Sequence, residues 1–505
     1  MSIHSKDVPL GSLRAQSPLI GLLLPAPGAQ ASSVPMVIFL YTKIFFVKKN
    51  FWTISDARGD HSSRRIETGS ARSRWSVLQP RNRTSTIAKL KEPRRRRDFC
   101  MVHPGDETQS KSAPTDTKRN TRLAIAVASI LIGCVYGTRP LVALQAHDWG
   151  ASAFDVGLLT SAFSLLPAAL IIPLSHLTRS LTLRLRVLTF SGLASVGLMI
   201  PFLAPNITGL YLSQLLTGMC FSGVLVFTLA LIEENSTDST RDHNISRYMV
   251  TASISTFLGP SIGGLIGSEF GYGYAFAAAA VVGLAVSTLC LPIKPSTQDR
   301  AEGHEGPTSA LDLLKRPRLR RALYISALVL MAKDMYVAYF PLIGQELGMS
   351  AATIGFIISI NSLAGIFIRW MMPVMIARMG LDFVLASSFA VSGVLFVLVP
   401  VFSQTSALIA VSFLLGLGLG IGQPISISTT LAALTKDQLP TGLGLRIMAN
   451  RVTQVTAPFA FGGMAQLAGV GSIFWGIGFI FLLGAWKASR QPRFPASLDR
   501  DDLER

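Results

Sequence analysis

The stretch from Trp149 to Gly157 reads WGASAFDVG, and it returns later in the chain as LGMSAATIG, from Leu347 to Gly355. The two copies lie 198 residues apart, with glycine, serine and a final apolar–glycine pair in the same places. A fixed spacing between similar stretches is the sequence signature of an internal structural repeat. We therefore predict that the chain contains two copies of one structural unit.

The same spacing continues on the C-terminal side of this stretch. It pairs serine with serine, leucine with leucine, glycine with glycine and proline with proline. The pairs are Ser161 with Ser359, Ser164 with Ser362, Leu165 with Leu363, Gly218 with Gly416, Pro260 with Pro458 and Gly264 with Gly462. Two parallel repeats about an axis normal to the membrane, as transporters of this size use, would produce one constant offset.

The composition indicates a membrane protein. Half of the 505 residues are hydrophobic, 15% are charged, and the mean hydropathy is +0.45. A soluble chain this apolar would lack polar surface, and a disordered chain needs the opposite balance. Twelve apolar runs are each long enough for a helix to cross a bilayer, where a helix satisfies its own backbone. They are residues 123–144, 154–175, 187–205, 209–232, 248–267, 272–293, 322–344, 353–376, 382–402, 406–431, 444–466 and 471–487.

These runs predict an all-α membrane protein with twelve transmembrane helices in two six-helix pseudo-repeats. The longest internal polar stretch, after the sixth run, separates the repeats. We expect a basic, disordered cytoplasmic extension over residues 1–121, an N-terminal half over 122–293 and a cytoplasmic linker over 294–321. A C-terminal half over 322–487 and a cytoplasmic tail over 488–505 follow.

The net charge of +18 is concentrated at one end of the chain. Residues 1–100 contain 18 Lys and Arg and 6 Asp and Glu, while the remainder contains 28 and 22. The basic segment fits no part of the repeat, so we expect it to be dispensable, with Met101 as the functional start. It shows no alternation of aromatic and basic residues, so we expect no nucleic-acid partner. A non-transport membrane protein with a nucleic-acid-binding head remains an alternative.

The loops predict the orientation. Loops after even-numbered runs carry Lys and Arg, whereas loops after odd-numbered runs carry none and contain Asp148, Glu269 and Glu346 instead. Positively charged loops stay in the cytoplasm. We therefore predict a multi-pass protein of the cell membrane with both termini in the cytoplasm.

The fifth run contains Gly259-Pro260-Ser261-Ile262-Gly263-Gly264. This string looks like the core of the antiporter motif of the major facilitator superfamily. Together with the six-plus-six layout, it makes the chain resemble that superfamily over about residues 120–490, and especially its exporters of the drug–proton antiporter kind. Two features depart from that group. The segment 173–179 lacks the usual acidic residue, and Gln214 stands where such antiporters often carry arginine.

Asp334 is the one acidic residue deep inside a predicted span, and Lys333 precedes it. A charge at this depth costs about 2.5–3.5 kcal/mol on insertion scales, so we interpret it as functional. We predict that Asp334 loads and releases a coupling proton, with a fixed ion pair as the alternative. The resemblance implies that spans 1 and 7 face each other, so Arg139 could pair with Asp334 or bind an anionic substrate. Snorkelling of Arg139 to the interface is the other reading.

Further polar residues lie inside the predicted spans. With Arg139 and Lys333, we expect Gln214, Asn361 and Gln423 to line a substrate cavity. Three residues of span 11 share one helical face because they are four positions apart. Arg446, Asn450 and Gln454 are these residues, and with Arg369 and Arg451 they are candidates for a cytoplasmic gate or for helix-end anchors.

No catalytic motif or metal-ligand spacing occurs, so we expect no enzyme activity, no cofactor and no metal. We predict a monomeric secondary active transporter whose partners are the lipid bilayer, protons and a small-molecule substrate. Its predicted function is export of amphipathic, drug-like or metabolite molecules in exchange for protons, by alternating access. Proton-coupled import of an anionic metabolite is the alternative.

Overall fold

A computed structural model describes residues 114–178, 180–237, 239–293, 310–435 and 438–490, and every regular element within these ranges is helical. The predicted basic extension as far as residue 113, with Met101, lies outside the described residues, as do most of the linker and the end of the tail.

Twelve long helices follow one another along the described chain, one for each predicted span. They are α1 Pro114–Asp148, α2 Ala153–Leu177, α3 Leu183–Leu203, α4 Ile207–Glu234, α5 Arg241–Phe270, α6 Tyr272–Ser287, α7 Pro317–Glu346, α8 Ala351–Met379, α9 Leu381–Leu398, α10 Thr405–Ala432, α11 Leu439–Ala468 and α12 Gly471–Arg490. A short helix, Ala310–Leu314, precedes α7, and single 3-10 turns end α6 (Thr288–Cys290) and α9 (Val399–Val401).

Helix α1 begins before the predicted start of the first span. It includes residues 114–121, which the polar composition had placed in the extension. The early start is anchored by a bond from Asn120 Nδ2 to Asn235 Oδ1, 3.2 Å long, at the end of α4. A polar turn can therefore continue a membrane helix when another helix end satisfies its side chains.

Eleven of the described helices are long and apolar enough to cross a membrane. Helix α11 is the exception, although its 30 residues are sufficient in length. Its polar side chains, Arg446, Asn450, Arg451 and Gln454, lower the hydropathy of the helix. The helix that departs from the apolar rule thus carries several of the predicted site residues.

Contacts between the two halves confirm the repeat. Helix α2 packs against α11, and α5 packs against α8. A Cβ atom on Gly157 would overlap the carbonyl oxygen of Pro458, and one on Gly355 would overlap that of Pro260. These two contacts are related by the spacing of 198 residues, so the same glycine–proline approach occurs on both sides of the bundle.

The GPSIGG string packs α5 against two helices at once. A Cβ on Gly259 or Gly263 would collide with the backbone of α1 at Gly133 or Gly137, and one on Gly264 would collide with α8 at Ala351. Small residues allow this close approach of helix backbones. The motif therefore joins α1 of its own half to α8 of the other half.

The two ends of the bundle differ in charge. We call the end where α1 and α7 begin the basic face, because Arg184, Arg316 and Arg321 lie there; the opposite end, with Asp148 and Glu346, is the acidic face. The most apolar windows of α1 and α7 are each 78% buried, more than those of the other spanning helices. These two helices therefore form the centre of the bundle, and they carry the predicted site residues Arg139, Lys333 and Asp334.

Candidate functional site

An ion pair joins the two central helices. Arg139 precedes Pro140 in the last third of α1, and Asp334 lies in the middle of α7. Arg139 Nη1 lies 3.0 Å from Asp334 Oδ1, and the two side chains are 13% and 9% exposed. The other carboxylate oxygen accepts a 2.7 Å hydrogen bond from Gln454 Nε2 of α11. Both oxygens of Asp334 are therefore satisfied, one from each half of the molecule.

Aromatic rings hold Arg139 from its own half. Its guanidinium carbon lies 4.5 Å from the ring centre of Phe163 and 5.5 Å from that of Tyr136. The ring centre of Phe221 lies 6.1 Å from that of Phe163 and 6.4 Å from that of Tyr136, so Phe221 packs against both rings. A cation over an aromatic face is attracted by about 0.5–2 kcal/mol. We call Tyr136, Phe163 and Phe221 the aromatic cage; it keeps Arg139 in place independently of Asp334.

The sequence alone did not single out these aromatic residues, since Phe and Tyr are common in apolar spans. One signal was available. The repeat spacing of 198 residues pairs Tyr136 with Asp334, so the position equivalent to the one buried acid belongs to the cage.

The network extends from Asp334 to the other half through α11. Gln454 Oε1 accepts a 3.1 Å bond from Arg451 Nη1, and Arg451 Nη2 donates a 3.0 Å bond to Ser222 Oγ of α4. The series Ser222, Arg451, Gln454, Asp334 and Arg139 thus begins and ends in the N-terminal half. Of the predicted gate residues, Arg451 and Gln454 belong to this network.

A small cavity lies beside the ion pair. Its walls come from α1, α2, α4 and α7, and so from both halves. The lining residues are Arg139, Val142, Ala143, Thr160, Phe163, Gln214, Asp334, Val337 and Ala338. Gln214, predicted as a cavity residue, is one of them.

Two further basic residues, Lys333 of α7 and Arg369 of α8, lie inside the described helices. Lys333 is half-buried. Arg369 donates long hydrogen bonds, from Nε to the carbonyl oxygen of Gly420 at 3.4 Å and from Nη1 to Ser253 Oγ at 3.5 Å. Since Ser253 belongs to α5, this bond joins the two halves.

Four of the predicted residues instead hold neighbouring helices of the C-terminal half together. Asn361 donates to the carbonyl oxygen of Ser412 at 3.0 Å, and Gln423 donates to that of Ser326 at 3.2 Å. The amides of Asn361 and Gln423, which we predict as cavity residues, face adjacent helices, and the small cavity beside the ion pair is lined by other residues.

Two gate candidates near the basic face, Arg446 and Asn450, also bond neighbouring helices of the C-terminal half. Arg446 Nη2 donates to Gln423 Oε1 at 2.8 Å, and Asn450 Oδ1 accepts from Ser326 Oγ at 2.9 Å. These bonds link α7, α10 and α11 of one half. The residues that share one face of α11 thus have different partners. Gln454 bonds to Asp334 of the ion pair, whereas Arg446 bonds to Gln423 of α10.

On the acidic side, hydrogen bonds join the halves. Tyr339 Oη donates to the carbonyl oxygens of Ala153 and Pro458, at 3.3 and 3.2 Å. Gln345 Nε2 donates to Asp148 Oδ1 at 2.6 Å, at the ends of α7 and α1.

Among the described residues, no group of three or more His, Cys, Asp or Glu side chains could hold a metal ion.

The model of the Major Facilitator Superfamily matches residues 123–381 and 323–501. The chain belongs to the major facilitator superfamily. The solved nucleoside transporter NupG is similar in fold, with a TM-score of 0.62 at 13% identity, over 74% of this chain and 100% of that one. A bacterial homologue of the human lysosomal transporter Spinster, inward-facing and unoccupied, has a TM-score of 0.60 at 12% identity, over 74% and 97%. No curated protein matches the chain significantly.

Membership of the major facilitator superfamily makes this chain a multi-pass membrane protein and points to a secondary transporter rather than an enzyme. Transporters built from such repeats bind their substrates near the middle of the membrane, where the halves meet, and work by alternating access. In this superfamily member, the Arg139–Asp334 pair and its cavity lie where the halves meet.

Proposed function

We propose that this protein is a proton-coupled transporter of small molecules in which Asp334 takes up and releases the coupling proton. The observation that carries the proposal is the ion pair between Asp334 and Arg139, because it joins the two halves that must separate. Among the described residues, Asp334 is the one acidic residue that is buried. A buried ionisable residue within the membrane is a functional candidate by default.

The ion pair gives the proton a way to change the conformation. When Asp334 is ionised, its carboxylate holds α1 through Arg139 and α11 through Gln454. Protonation removes the negative charge, and breaking one side of a buried pair costs about 3–5 kcal/mol. The proton therefore favours a state in which α1 and α7 separate, in the way that any ligand favours the state to which it binds better.

Other charged or titratable groups also face Asp334. Arg139 pairs with it from α1 and lies over the ring of Tyr136, Arg451 of α11 bonds to its partner Gln454, and Lys333 precedes it on α7. Cations predominate in this set. A protonated Asp334 therefore leaves the centre of the protein with a surplus of positive charge, most of it on arginine, which keeps its proton at any physiological pH.

Two directions of transport have support. The GPSIGG string resembles the motif of exporters, which favours exchange of a substrate for protons. The surplus of positive charge favours the alternative, in which an anionic substrate and a proton move together into the cell. In both cases we propose that the basic face lies in the cytoplasm, since positively charged loops are retained there.

The test uses the full chain in vesicles with the basic face outward, an acidic interior and a trapped pH-sensitive dye. Candidate substrates comprise amphipathic amines, neutral compounds and carboxylates. An exporter should move its substrate into these vesicles while protons leave, and an importer should move preloaded substrate out together with protons.

Asp334→Asn should reduce the dependence of substrate flux on the pH gradient by at least tenfold, the effect of about 1.4 kcal/mol. Asp382→Asn is the matched control, because Asp382 pairs with Arg321 at 2.7 Å near the basic face, away from the centre. Full pH dependence of flux in Asp334→Asn would refute the assignment.

A further inference from the structure

The side-chain amide of Gln454 lies between the buried carboxylate and a contact that joins the two halves. We propose that Gln454 is a positioning residue whose amide turns over when Asp334 is protonated, and that this rotation releases the hydrogen bond from Arg451 to Ser222. We call these four residues the relay. The inference rests on the proton-coupled transport proposed above, and it adds the residue through which the proton opens the basic side of the bundle.

The hydrogen bonds of Gln454 fix the orientation of its amide. Nε2 donates to Asp334 Oδ2 at 2.7 Å, and Oε1 accepts from Arg451 Nη1 at 3.1 Å. An ionised carboxylate can only accept hydrogen bonds, and a guanidinium group can only donate them. The reverse orientation would place acceptor against acceptor and donor against donor. The amide therefore keeps this orientation for as long as Asp334 is ionised.

Protonation of Asp334 changes what its partners must provide. Both carboxylate oxygens face a donor, because Arg139 Nη1 lies 3.0 Å from Oδ1 and Gln454 Nε2 lies 2.7 Å from Oδ2. A carboxylic acid has an O–H group, which needs an acceptor. Arginine has no acceptor atom, whereas the amide of Gln454 has one in Oε1. The proton is therefore accommodated on Oδ2 once Gln454 has turned its oxygen toward Asp334.

The aromatic cage favours a change at Gln454 over a change at Arg139. The guanidinium carbon of Arg139 lies 4.5 Å from the ring centre of Phe163 and 5.5 Å from that of Tyr136. These contacts do not depend on the charge of the carboxyl group, and Oδ1 of the protonated acid still accepts from Arg139. The amide of Gln454 turns about one terminal side-chain bond, whose preference for any angle is weak. Gln454 is therefore the partner that changes.

Charged and titratable groups surround Asp334 on several helices. Helix α1 contributes Arg139 and Tyr136, α11 contributes Arg451, and α7 itself contributes Lys333. The cavity residues of α2 and α4 are uncharged. Arginine and tyrosine keep their protons at physiological pH. A change of pH therefore acts through Asp334 or Lys333, and the variant Lys333→Gln separates the two.

The rotation of the amide removes a bond that holds Arg451. In the turned orientation Nε2 of Gln454 faces the guanidinium group, donor against donor. Arg451 Nη2 donates to Ser222 Oγ at 3.0 Å and so joins α11 to α4 of the other half. The next residue after Gln454 toward the acidic side is held separately, since the carbonyl oxygen of Val455 accepts from Ser161 Oγ of α2 at 2.8 Å. Loss of the Arg451 contact therefore loosens the halves on the basic side.

A second glutamine has the same arrangement without an acid. Gln423 of α10 donates from Nε2 to the carbonyl oxygen of Ser326 at 3.2 Å and accepts at Oε1 from Arg446 Nη2 at 2.8 Å. Its partners are an arginine and an oxygen acceptor, as for Gln454. A backbone carbonyl takes up no proton at physiological pH, so this amide keeps its orientation. Gln423 is therefore the matched control for Gln454.

The test measures the opening of the basic side directly. Spin labels are attached at Ser239→Cys, after α4, and at Gly444→Cys of α11, in a full chain whose own cysteines are serine. Both positions are exposed, and a Cβ at Gly444 meets no atom within 4 Å. Double electron–electron resonance in lipid, at a series of pH values, gives the distances between the labels. The distance distribution yields the ratio of open to closed molecules.

In the original protein, this ratio should rise about tenfold as the pH falls, the effect of losing one hydrogen bond to a charged group. Gln454→Met has a similar length but neither donor nor acceptor, so its ratio should stay at the open value at every pH. Gln423→Met and Lys333→Gln should keep the response to pH. A response of the original size in Gln454→Met, or its loss in Gln423→Met, would overturn the relay.

A variant in the other half tests the far end of the relay. Ser222→Ala removes the acceptor of Arg451 without a change in α11, so its ratio should already be about tenfold higher at alkaline pH, where the original protein is closed. Ser213→Ala is the matched control, because Ser213 Oγ is buried in the same helix and has no hydrogen-bond partner among the described residues. Equal ratios in the two serine variants would overturn the relay.

Asp334→Asn separates this inference from the proton assignment. Arg139 can only donate, so it binds the oxygen of the new amide, and the nitrogen faces Gln454 as the O–H group of the acid would. The ratio should therefore stay at the open value at every pH. If Asp334→Asn still responds to pH, the proton assignment fails and the relay fails with it. If Asp334→Asn is fixed while Gln454→Met responds, the relay fails and the proton assignment stands.

Discussion

The two halves of this transporter share their packing residues and differ in their charges. Gly157 and Gly355, which are equivalent in the repeat, both touch a proline carbonyl of the opposite half. Asp334, in contrast, has Tyr136 as its equivalent in the first half, and Arg139 has Val337 in the second. The symmetric residues fix how the halves meet, and the asymmetric residues give this interface its charges.

The cross-half arginines show the same relationship. Arg451 contacts Ser222, while Arg369 contacts Ser253 and Gly420. In the repeat, Arg451 is equivalent to Ser253 and Ser222 is equivalent to Gly420. The same two places are therefore bridged on both sides of the bundle, but each side takes its arginine from a different helix. The helices are therefore arranged symmetrically at these places, whereas the side chains that bridge them differ between the two sides.

The largest effect should come from breaking the shared packing. Gly157→Val or Gly355→Val places side-chain atoms where a proline carbonyl lies, so we expect each to cost about 3 kcal/mol or more. The two variants should be similarly unstable, because the contacts are equivalent. The measurement is the yield of monodisperse protein and its melting temperature in detergent. Gly463→Val is the control, since a Cβ there meets no atom within 4 Å. Normal yields of both variants would contradict the packing account.

A smaller effect should follow from unpairing the asymmetric charges. Arg139→Gln leaves Asp334 buried with Gln454 as its remaining partner, and we expect a loss of about 3 kcal/mol. Asp334→Asn should cost less, because the aromatic cage still holds Arg139. The double variant should be more stable than Arg139→Gln. Thermal unfolding of the three proteins measures this order, and strictly additive losses would show that the pair is not coupled.

The cage itself should contribute less than the ion pair. Phe163→Leu retains an apolar side chain but removes the ring under the guanidinium group, so we expect a loss of about 1 kcal/mol in stability. Combined with Asp334→Asn, it should cost more, since Arg139 then has neither support. Phe202→Leu, at a ring that is 39% exposed, is the comparison. Equal losses of stability in the two phenylalanine variants would contradict a stabilising role for the aromatic cage.

The smallest effect concerns the balance between conformations. Tyr339→Phe removes a hydroxyl group that donates to both halves near the acidic face, a contribution of about 1 kcal/mol. Tyr336→Phe is the matched control, because its hydroxyl group bonds to Ser412 within one half. A thiol at Val142→Cys should react faster from the acidic face in the first variant and at the original rate in the second. Equal rates in both variants would contradict a closing role for Tyr339.

The sequence predicted the spans because each needs a run of apolar residues. It indicated a special role for Asp334 because an acidic residue within such a run is rare. It did not predict Phe163 or Ser222, since these residue types are ordinary in membrane helices and their role depends on which helix they face. The same limit explains Asn361, whose amide faces α10. Helical spacing places residues on one face, but only packing shows where that face points.

The central claim is that Asp334 couples transport to protons, and a comparison of two transport modes tests it most directly. Exchange of labelled for unlabelled substrate across vesicles at equal pH needs alternating access but no net proton movement. Accumulation against a gradient needs the coupling. The substrate used is the compound of the candidate panel that the original protein transports. We predict that Asp334→Asn still exchanges this substrate, and that it no longer accumulates the substrate when a pH gradient is imposed. Accumulation by Asp334→Asn at the original level would contradict the claim.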